Sequence, residues 1–393
     1  MRVAGVRLGT ARAGIRSEAS DLTVIELAPG SQVAAVFTRN ACQAAPVRVA
    51  KEHLRLHPSP RWLVVNAGNA NAGTGSQGIE DARATCRAVA ELVEGAPTQV
   101  LPFSTGVIGE PLPVAKICAA LPKAIENLSE WGWEQAARAI MTTDTYPKGA
   151  KIELSLAGRP ITIAGIAKGA GMIAPNLATM LAFIATDAAV VLEDLQFALG
   201  QSVESSFNAI TVDGDTSTND ACALMATGAA GGPVLSRTYP AFPAFLEGLA
   251  EVCAKLAEAI VRDGEGATKL IRIFVEEAKD LAEARRVGFA VANSPLVKTA
   301  FFASDPNWGR ILAAVGRAVE DLNLDQVRIW LDEVAIVEAG SRARAYSEAL
   351  GKAVMARPEI SVRIALGRGR ASTQVLSCDL SYEYVRINAE YRS

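Results

Sequence analysis

The chain has 393 residues, enough for two or three domains or for one large composite fold. Half of the residues are hydrophobic, so the chain can bury a sizeable core, and its net charge of -3 gives no reason to expect binding to nucleic acid or to an anionic membrane surface. The N-terminus lacks the pattern of a signal peptide and no apolar run reaches the ~18 residues of a membrane span, which predicts a cytoplasmic protein.

The cysteine and histidine residues restrict the chemistry further. No two of the six cysteines lie within four residues of each other, which gives no CxxC pattern and favours reduced thiols. The two histidines, His53 and His57, have the spacing of zinc ligands on a helix, but no glutamate lies between them, so a solvated surface is the favoured interpretation. We therefore expect no metal and, if the chain is an enzyme, a base other than histidine.

Strand-like and helix-like segments alternate along the chain, which predicts a mixed α/β fold. Residues 21–27 and 32–37 flank a Pro-Gly turn and are typical of a hairpin. Residues 151–157 and 160–166 form a second candidate hairpin across a glycine turn.

Later segments alternate in the same way. Apolar residues four apart, beginning at Leu195, predict a helix with Asp194 as its N-cap. Ser294 followed by proline predicts the start of another helix. The last third returns to strands, the last of them over residues 374–385.

The most unusual segment is glycine-rich and spans residues 167–183. In it, Thr179 is either an ordinary β-branched strand residue or an N-terminal nucleophile that becomes free when the bond before it is cut. A nucleophile of the second kind uses its own α-amine, which titrates near ~8, as general base and needs no histidine. A phosphate-binding loop is disfavoured, because Lys168 precedes the glycines and the P-loop spacing is absent.

Four other polar segments are candidates for a site. Residues 104–109 form either a plain strand end or a set of oxyanion donors. Residues 142–145 are either a capped turn or the polar wall of a site. In 264–269 one carboxylate lies between two glycines, either in a solvated turn or as an exposed ammonium-binding group. Four side chains look like calcium ligands, but they lack the spacing and the closing glutamate of an EF-hand: Asp213, Asp215, Asn219 and Asp220.

Together these segments resemble the motifs of the ornithine acetyltransferase family, the glutamate N-acetyltransferases of arginine biosynthesis. Residues 168–181 are similar to the self-cleavage motif of that family, and matches continue in order from residue 35 to the last residue. The other matching segments are 104–109, 141–145, 211–220, 263–269, 304–310 and 387–393. Two departures are small: Ser393 stands where many relatives have threonine, which keeps a hydroxyl, and Ala170 stands where serine is common.

The resemblance implies a layered α/β/β/α sandwich of the self-processing ornithine acetyltransferase–aminopeptidase type, with a smaller C-terminal α/β domain from about residue 280. It also implies that the chain cuts itself between Ala178 and Thr179, giving an α chain of residues 1–178 and a β chain of residues 179–393. Thr179 is then the nucleophile, with Thr105 and Gly106 as the oxyanion hole. The residues implied to line the substrate site, together with Thr179, are Thr142, Lys168, Glu265, Asn388 and Ser393.

The implied reaction moves the acetyl group of N2-acetylornithine to glutamate through an acetylated Thr179, with no cofactor and no metal. An α2β2 assembly of the two cut chains is implied as well, with no nucleic-acid or membrane partner. The sequence leaves open whether acetyl-CoA also donates the acetyl group. Two alternatives stay open: a self-processing aminopeptidase or amidohydrolase, in which water replaces glutamate, and a non-enzymatic binding protein, in which Thr179 is a plain strand residue.

Overall fold

A computed structural model describes residues 1–17, 19–57, 59–174 and 180–390. It consists of two compact units. The first contains the described residues of Met1–Met172, Asn176–Asn208 and Asp215–Ile260, and the second contains those of Ile173–Pro175, Ala209–Gly214 and Val261–Ser393. None of the helices in the described ranges is long and apolar enough to cross a membrane. The predicted domain start at about residue 280 and the division into 1–178 and 179–393 stay predictions.

The strands of the first unit form a four-stranded and a five-stranded sheet. They are β1 (Val6–Ala11), β2 (Leu22–Leu27), β3 (Gln32–Phe37), β4 (Trp62–Asn69), β5 (Val100–Val107), β6 (Lys148–Leu156), β7 (Arg159–Lys168), β8 (Leu181–Thr186) and β9 (Ala221–Ala226). The four-stranded sheet has the order β1-β2-β4-β5, and the five-stranded sheet has the order β3-β9-β8-β7-β6. The pairs β4/β5 and β8/β9 are parallel, and the other neighbours are antiparallel.

The helices of this unit pack against its two sheets. They are α1 (Ala45–Leu56), α2 (Gly75–Leu92), α3 (Val114–Glu126), α4 (Trp133–Ala139), α5 (Leu192–Glu204) and α6 (Phe242–Arg262), the last of which ends in the second unit. Helices α2 and α3 share a buried cluster with the outer face of the four-stranded sheet. Helices α5 and α6 pack on the five-stranded sheet, where Leu256 of α6 lies directly over Gly165 of β7.

The inner faces of the two sheets pack against each other. Phe103 on β5 and Phe183 on β8 meet edge to face with their ring centroids 5.1 Å apart, a geometry that adds about 0.5–1.5 kcal/mol beyond the burial of apolar area. Buried side chains from both sheets surround this pair in one cluster. The α/β/β/α order of layers predicted above is therefore confirmed.

The two predicted hairpins have different outcomes. Strand β6 pairs with β7, with Ser155 opposite Pro160, so the second hairpin is confirmed. The first is wrong, because β2 pairs with β1 and β4, whereas β3 pairs with β9 in the other sheet. The turn between β2 and β3 thus carries the chain from one sheet to the other.

The second unit contains a mixed sheet and helices. Its strands are β10 (Leu270–Ala278), β11 (Arg328–Leu331), β12 (Val334–Glu338), β13 (Ser341–Arg342), β14 (Glu359–Ala365) and β15 (Ala371–Cys378), in the order β13-β12-β11-β14-β10-β15. Its helices are α7 (Leu281–Ala292), α8 (Pro295–Phe302), α9 (Trp308–Gly316), α10 (Glu348–Met355) and α11 (Tyr382–Ala389).

Three predictions about where helices and strands begin or end have different outcomes. Ser294 caps α8 as predicted, accepting the N–H of Val297. The strand predicted over 374–385 is wrong beyond Cys378, because the Ser381 hydroxyl caps α11. Asp194 is not the cap of α5, because the helix already begins at Leu192. The carboxylate of Asp194 accepts the N–H of Arg237 instead.

Candidate functional site

The predicted oxyanion segment lies at the end of β5. Thr105 is buried there, and Gly106 has a φ of +130°, a conformation that favours glycine. A Cβ on Gly106 would lie 2.3 Å from the carbonyl carbon of Gly68 on β4. The end of β5 is therefore rigid and so tightly packed that glycine alone fits at position 106.

Asn219 fixes the peptide that leads into Thr105. Its amide nitrogen donates to the carbonyl oxygens of Ala70, at 2.6 Å, and Ser104, at 2.9 Å. Its amide oxygen accepts the hydroxyl of Thr218 at 2.7 Å. Because both ends of the amide are engaged, Asn219 holds the Ser104–Thr105 peptide in one orientation.

The neighbouring Asp220 holds the start of β8. Its Oδ1 accepts the N–H of Met180 at 3.2 Å, and β8 and β9 run parallel with Leu181 opposite Ala221. The nitrogen of Met180 belongs to the peptide bond that Thr179 forms with it. Residues 219 and 220 therefore connect the predicted oxyanion strand to the peptide that directly follows the predicted nucleophile.

Lys168 and Thr142 are brought together by Asp144. Lys168 is the last residue of β7, is 4% exposed and lies opposite Leu181 of β8. The Oδ2 of Asp144 accepts the N–H of Thr142 at 3.0 Å, and its Oδ1 accepts the N–H of Gly169 at 2.7 Å. One carboxylate thus organises both predicted substrate-binding segments of the first unit.

The charge of Asp144 is stabilised by two lysines. Its Oδ1 lies 2.6 Å from the ammonium of Lys148, and both side chains are fully buried. Burial alone would raise the pKa of Asp144, but the ammonium groups of Lys168 and Lys148, with the N–H of Gly169, lower it to about 2. Asp144 is therefore ionised at neutral pH and supplies a fixed negative charge beside Lys168.

In the second unit, Glu265 and Asn388 form a pair. Glu265 is 8% exposed, and its Oε2 accepts the amide N–H of Asn388 on α11 at 2.7 Å. The next residue, Gly266, accepts the hydroxyl of Ser381 through its carbonyl at 2.6 Å, which ties the loop to the start of the same helix. Neither a solvated turn nor an exposed carboxylate describes Glu265, since the side chain is buried and hydrogen-bonded.

Three predicted site residues, Ala178, Thr179 and Ser393, lie outside the described residues. Within the first unit the structure brings the described ones together through a network of Asp144, Asn219 and Asp220. The roles in catalysis and binding that the resemblance implies stay predictions.

The metal-ligand interpretations find no support in the described ranges, which contain no group of three or more histidine, cysteine, aspartate or glutamate side chains that could hold a metal ion. His53 is buried, with Nδ1 2.7 Å from the carbonyl oxygen of Val100, so the predicted solvated surface is wrong for this residue. Asn219 and Asp220, which look like calcium ligands in the sequence, instead bind backbone groups.

Sequence reasoning missed the organising function of Asp144, Asn219 and Asp220. Their signal was present as polar residues next to apolar strands, in 142–145 before β6 and in 213–220 before β9. A polar residue at the end of a buried strand is costly unless a partner satisfies it. The partners lie up to 149 residues away in the chain, so the sequence does not reveal them.

Comparisons with known proteins identify the family of the chain. The model of the ArgJ family matches residues 7–393. The chain belongs to the ArgJ family. The arginine biosynthesis bifunctional protein ArgJ of Methylococcus capsulatus is 64% identical over 393 residues, which are 100% of this chain and 96% of that protein.

Two solved structures are also similar to this ArgJ family chain. One is the arginine biosynthesis bifunctional protein argJ of Bacillus halodurans, with 38% identity, a TM-score of 0.51 and coverage of 53% of this chain and 98% of that chain. The other is the ornithine acetyltransferase of Mycobacterium tuberculosis in complex with ornithine, with 35% identity, a TM-score of 0.39 and coverage of 44% of this chain and 92% of that chain. The predicted family, and with it an acetyltransferase of arginine biosynthesis, is confirmed.

Proposed function

We propose that the chain transfers the acetyl group of N2-acetylornithine to glutamate through an ester on Thr179, after cutting itself between Ala178 and Thr179. The observation that carries the proposal is a pair of adjacent residues with hydrogen bonds to both segments. Asn219 holds the strand of Thr105, and Asp220 accepts the N–H of the peptide bond after Thr179. Nucleophilic acyl transfer needs a hydroxyl and oxyanion donors at a fixed separation, and these hydrogen bonds support such an arrangement.

Self-cleavage is supported by the length of one solved relative. The argJ chain of Bacillus halodurans is covered almost completely, yet it matches 53% of this chain, so it is roughly half as long. A family member present as a half-length chain is the expected product of a cut near the middle. Residues 178 and 179 lie near the middle of the 393 residues of this chain.

The cut itself needs the hydroxyl of Thr179. The hydroxyl oxygen attacks the carbonyl carbon of Ala178, the bond from that carbon to the nitrogen of Thr179 breaks, and the nitrogen takes the hydroxyl proton. Water then hydrolyses the resulting ester, which leaves a carboxylate on Ala178 and frees the hydroxyl and the α-amine of Thr179. The amine, with an ordinary pKa near ~8, can then serve as general base.

Acetyl transfer repeats the same chemistry on an external substrate. The hydroxyl of Thr179 attacks the acetyl carbonyl of N2-acetylornithine while the α-amine takes the hydroxyl proton, and Thr105 and Gly106 donate to the oxyanion. The amide bond breaks, the α-amine passes its proton to the leaving nitrogen, and ornithine departs. The amine of glutamate then attacks the acetyl ester, which gives N-acetylglutamate and restores the hydroxyl. Lys168 is the cation we assign to the α-carboxylate that both substrates share.

The reaction requires no resident cofactor, because the hydroxyl of Thr179 carries the acetyl group. Acetyl-CoA is a second donor in this proposal, since its thioester can acylate the same hydroxyl. We also place the protein in the cytoplasm, as an α2β2 assembly of the two cut chains. Sedimentation of the processed protein tests the assembly, and fractionation of the source cells tests the location.

The first prediction concerns processing and kinetics. Purified protein should contain two chains, of residues 1–178 and 179–393, without added protease, and acetyl transfer should follow ping-pong kinetics because one hydroxyl serves both substrates in turn. Intact mass, N-terminal sequencing and double-reciprocal plots check this. Acetylated β chain should accumulate when N2-acetylornithine is given without glutamate. Release of acetate at the same rate with and without glutamate would identify a hydrolase instead.

The second prediction tests the charge of Glu265. Glu265→Gln keeps an oxygen for the amide of Asn388 but removes the negative charge that we assign to the ammonium group of ornithine. Loss of a charged hydrogen bond costs about 1.5–3 kcal/mol, so kcat/KM for N2-acetylornithine should fall about tenfold or more, while cleavage before Thr179 survives.

Glu283→Gln is the matched control for this variant. Glu283 is also buried in the second unit, but its carboxylate pairs with Arg368. We expect the control to lower the melting temperature and leave kcat/KM within about threefold. An equal loss of kcat/KM in both variants would mean that Glu265 acts through stability alone.

A further inference from the structure

Asp220 is a buried acid whose protonation the reaction above does not specify. The residue is 1% exposed and precedes β9, and its Oδ1 accepts the N–H of Met180. Its Oδ2 is buried as well and has no hydrogen-bond partner within the described ranges. A carboxylate with an unpaired buried oxygen is costly, whereas the protonated group is uncharged and avoids most of that cost.

The burial of Asp220 favours its protonated form. Burial raises the pKa of Asp220 well above its ordinary value, and the N–H of Met180, the nearby polar groups of Ser217 and the ammonium of Lys168 oppose this only in part. That ammonium also lowers the pKa of Asp144, which Lys148 pairs with directly. The two acids near Lys168 are therefore shifted in opposite directions: the pKa of Asp144 is lowered and that of Asp220 is raised.

The distance to the nucleophile makes this proton relevant. The nitrogen of Thr179 and that of Met180 belong to one residue and its following peptide, so they are at most about 4 Å apart. The amine freed by cleavage belongs to the residue that directly precedes Met180 in the chain, and Oδ1 accepts the N–H of Met180 at 3.2 Å. A carboxylate in that position would favour the ammonium form of the amine and reduce the free base, whereas a neutral acid would not.

We propose that Asp220 is a positioning residue of the acyl-transfer site that works as a neutral carboxylic acid, with Oδ1 holding the peptide N–H after Thr179 and a proton on Oδ2. The inference rests on the proposed function, because it assigns the α-amine of Thr179 as the base. It names a role for a residue that is neither nucleophile, oxyanion donor nor substrate ligand in the reaction above.

Three variants test the inference. Asp220→Asn is uncharged, and its amide oxygen can still accept the N–H of Met180, whereas Asp220→Ala removes the acceptor. Asp187→Ala is the matched control, because Asp187 lies just beyond the other end of β8 and its carboxylate accepts the N–H of Thr162 at 2.8 Å. Each variant is assayed for processing, for kcat and KM over a range of pH, and for its melting temperature. Infrared spectra of the parent and the Asn variant at neutral pH report the carbonyl band of a protonated carboxyl group.

We expect the Asn variant to process itself, to retain a higher kcat than the Ala variant and to keep the acidic limb of the pH profile in place. It should lack one carboxylic-acid band that the parent shows. Asp220→Ala should lower kcat about tenfold or more with KM within threefold, and Asp187→Ala should keep the parental kcat. If the Ala variant does not fold, Asp220→Ser takes its place in the kinetic comparison.

Two results would overturn the inference. An acidic limb that moves to lower pH in Asp220→Asn, with no band lost, would show that Asp220 is a carboxylate that raises the pKa of the amine. A parental kcat in both the Asn and the Ala or Ser variant would show that the residue positions nothing. A parent chain that neither cuts itself nor transfers acetyl groups would contradict the proposed function instead, and the infrared band would still decide whether Asp220 is protonated.

Discussion

Thr179→Ala should remain a single chain of 393 residues and lose acetyl transfer by at least ~10⁴-fold, the scale on which removal of a nucleophile acts in acyl-transfer enzymes. The reason is that both reactions need the same hydroxyl, first toward the carbonyl of Ala178 and then toward the acetyl group. Electrophoresis of purified protein and an acetyl-transfer assay measure both effects at once. Thr179→Ser keeps a hydroxyl at the same position and should retain part of each activity.

Thr186→Ala is the control for this pair of variants. Thr186 is a buried threonine at the end of β8, where its hydroxyl accepts the N–H of Ala188. Its loss should lower stability without preventing cleavage or transfer. Complete processing and parental transfer in Thr179→Ala would show that Thr179 is a plain strand residue and would favour the binding-protein alternative.

The fold was predictable where its signals are local. Strands β6 and β7 are joined by Ala157 and Gly158, whose φ values of +51° and +75° fit a tight turn, so two adjacent segments were enough to predict the hairpin. Strands β2 and β3 are also adjacent, but their partners β4 and β9 lie elsewhere in the chain. Apolar periodicity marks a buried strand without specifying its partner, and for this reason the first hairpin was wrong.

In the candidate site, too, the sequence indicates local motifs but not their distant partners. The roles assigned to the nucleophile, the oxyanion residues and the substrate residues come from motifs that are continuous in sequence and resemble a known family, and they stay predictions. The hydrogen bonds around the site instead join residues that are far apart in the chain: Met180 and Asp220 are 40 residues apart, and Glu265 and Asn388 are 123 apart. Burial of Glu265 depends on α11, which the sequence suggested was the end of a strand. Only the folded chain shows which polar residues satisfy one another.

Gly106→Ala should abolish most acetyl transfer, lowering kcat by about 10²-fold or more. Two effects combine: a φ of +130° is strained for any residue with a Cβ, and the new methyl group would lie 2.3 Å from the carbonyl carbon of Gly68 and 2.6 Å from the nitrogen of Asn69. Both neighbouring atoms belong to the backbone of β4 and cannot rotate away as a side chain would. Strand β5 must therefore move away from β4. The predicted oxyanion donors move with it, and the loss of one such donor costs about 2.7–4 kcal/mol of transition-state stabilisation.

Gly109→Ala separates conformation from contact in this experiment. Gly109 also has a positive φ, of +87°, but no atom lies within 4 Å of the position its Cβ would take. It should therefore lose about 1–2 kcal/mol of stability, as expected for an L-residue in a left-handed conformation, and keep kcat within about threefold. Denaturant unfolding and steady-state kinetics of both variants measure the two effects. If Gly106→Ala transfers acetyl groups as well as Gly109→Ala does, the end of β5 is not the oxyanion site, because a displaced strand could not hold donors at the position the transition state requires.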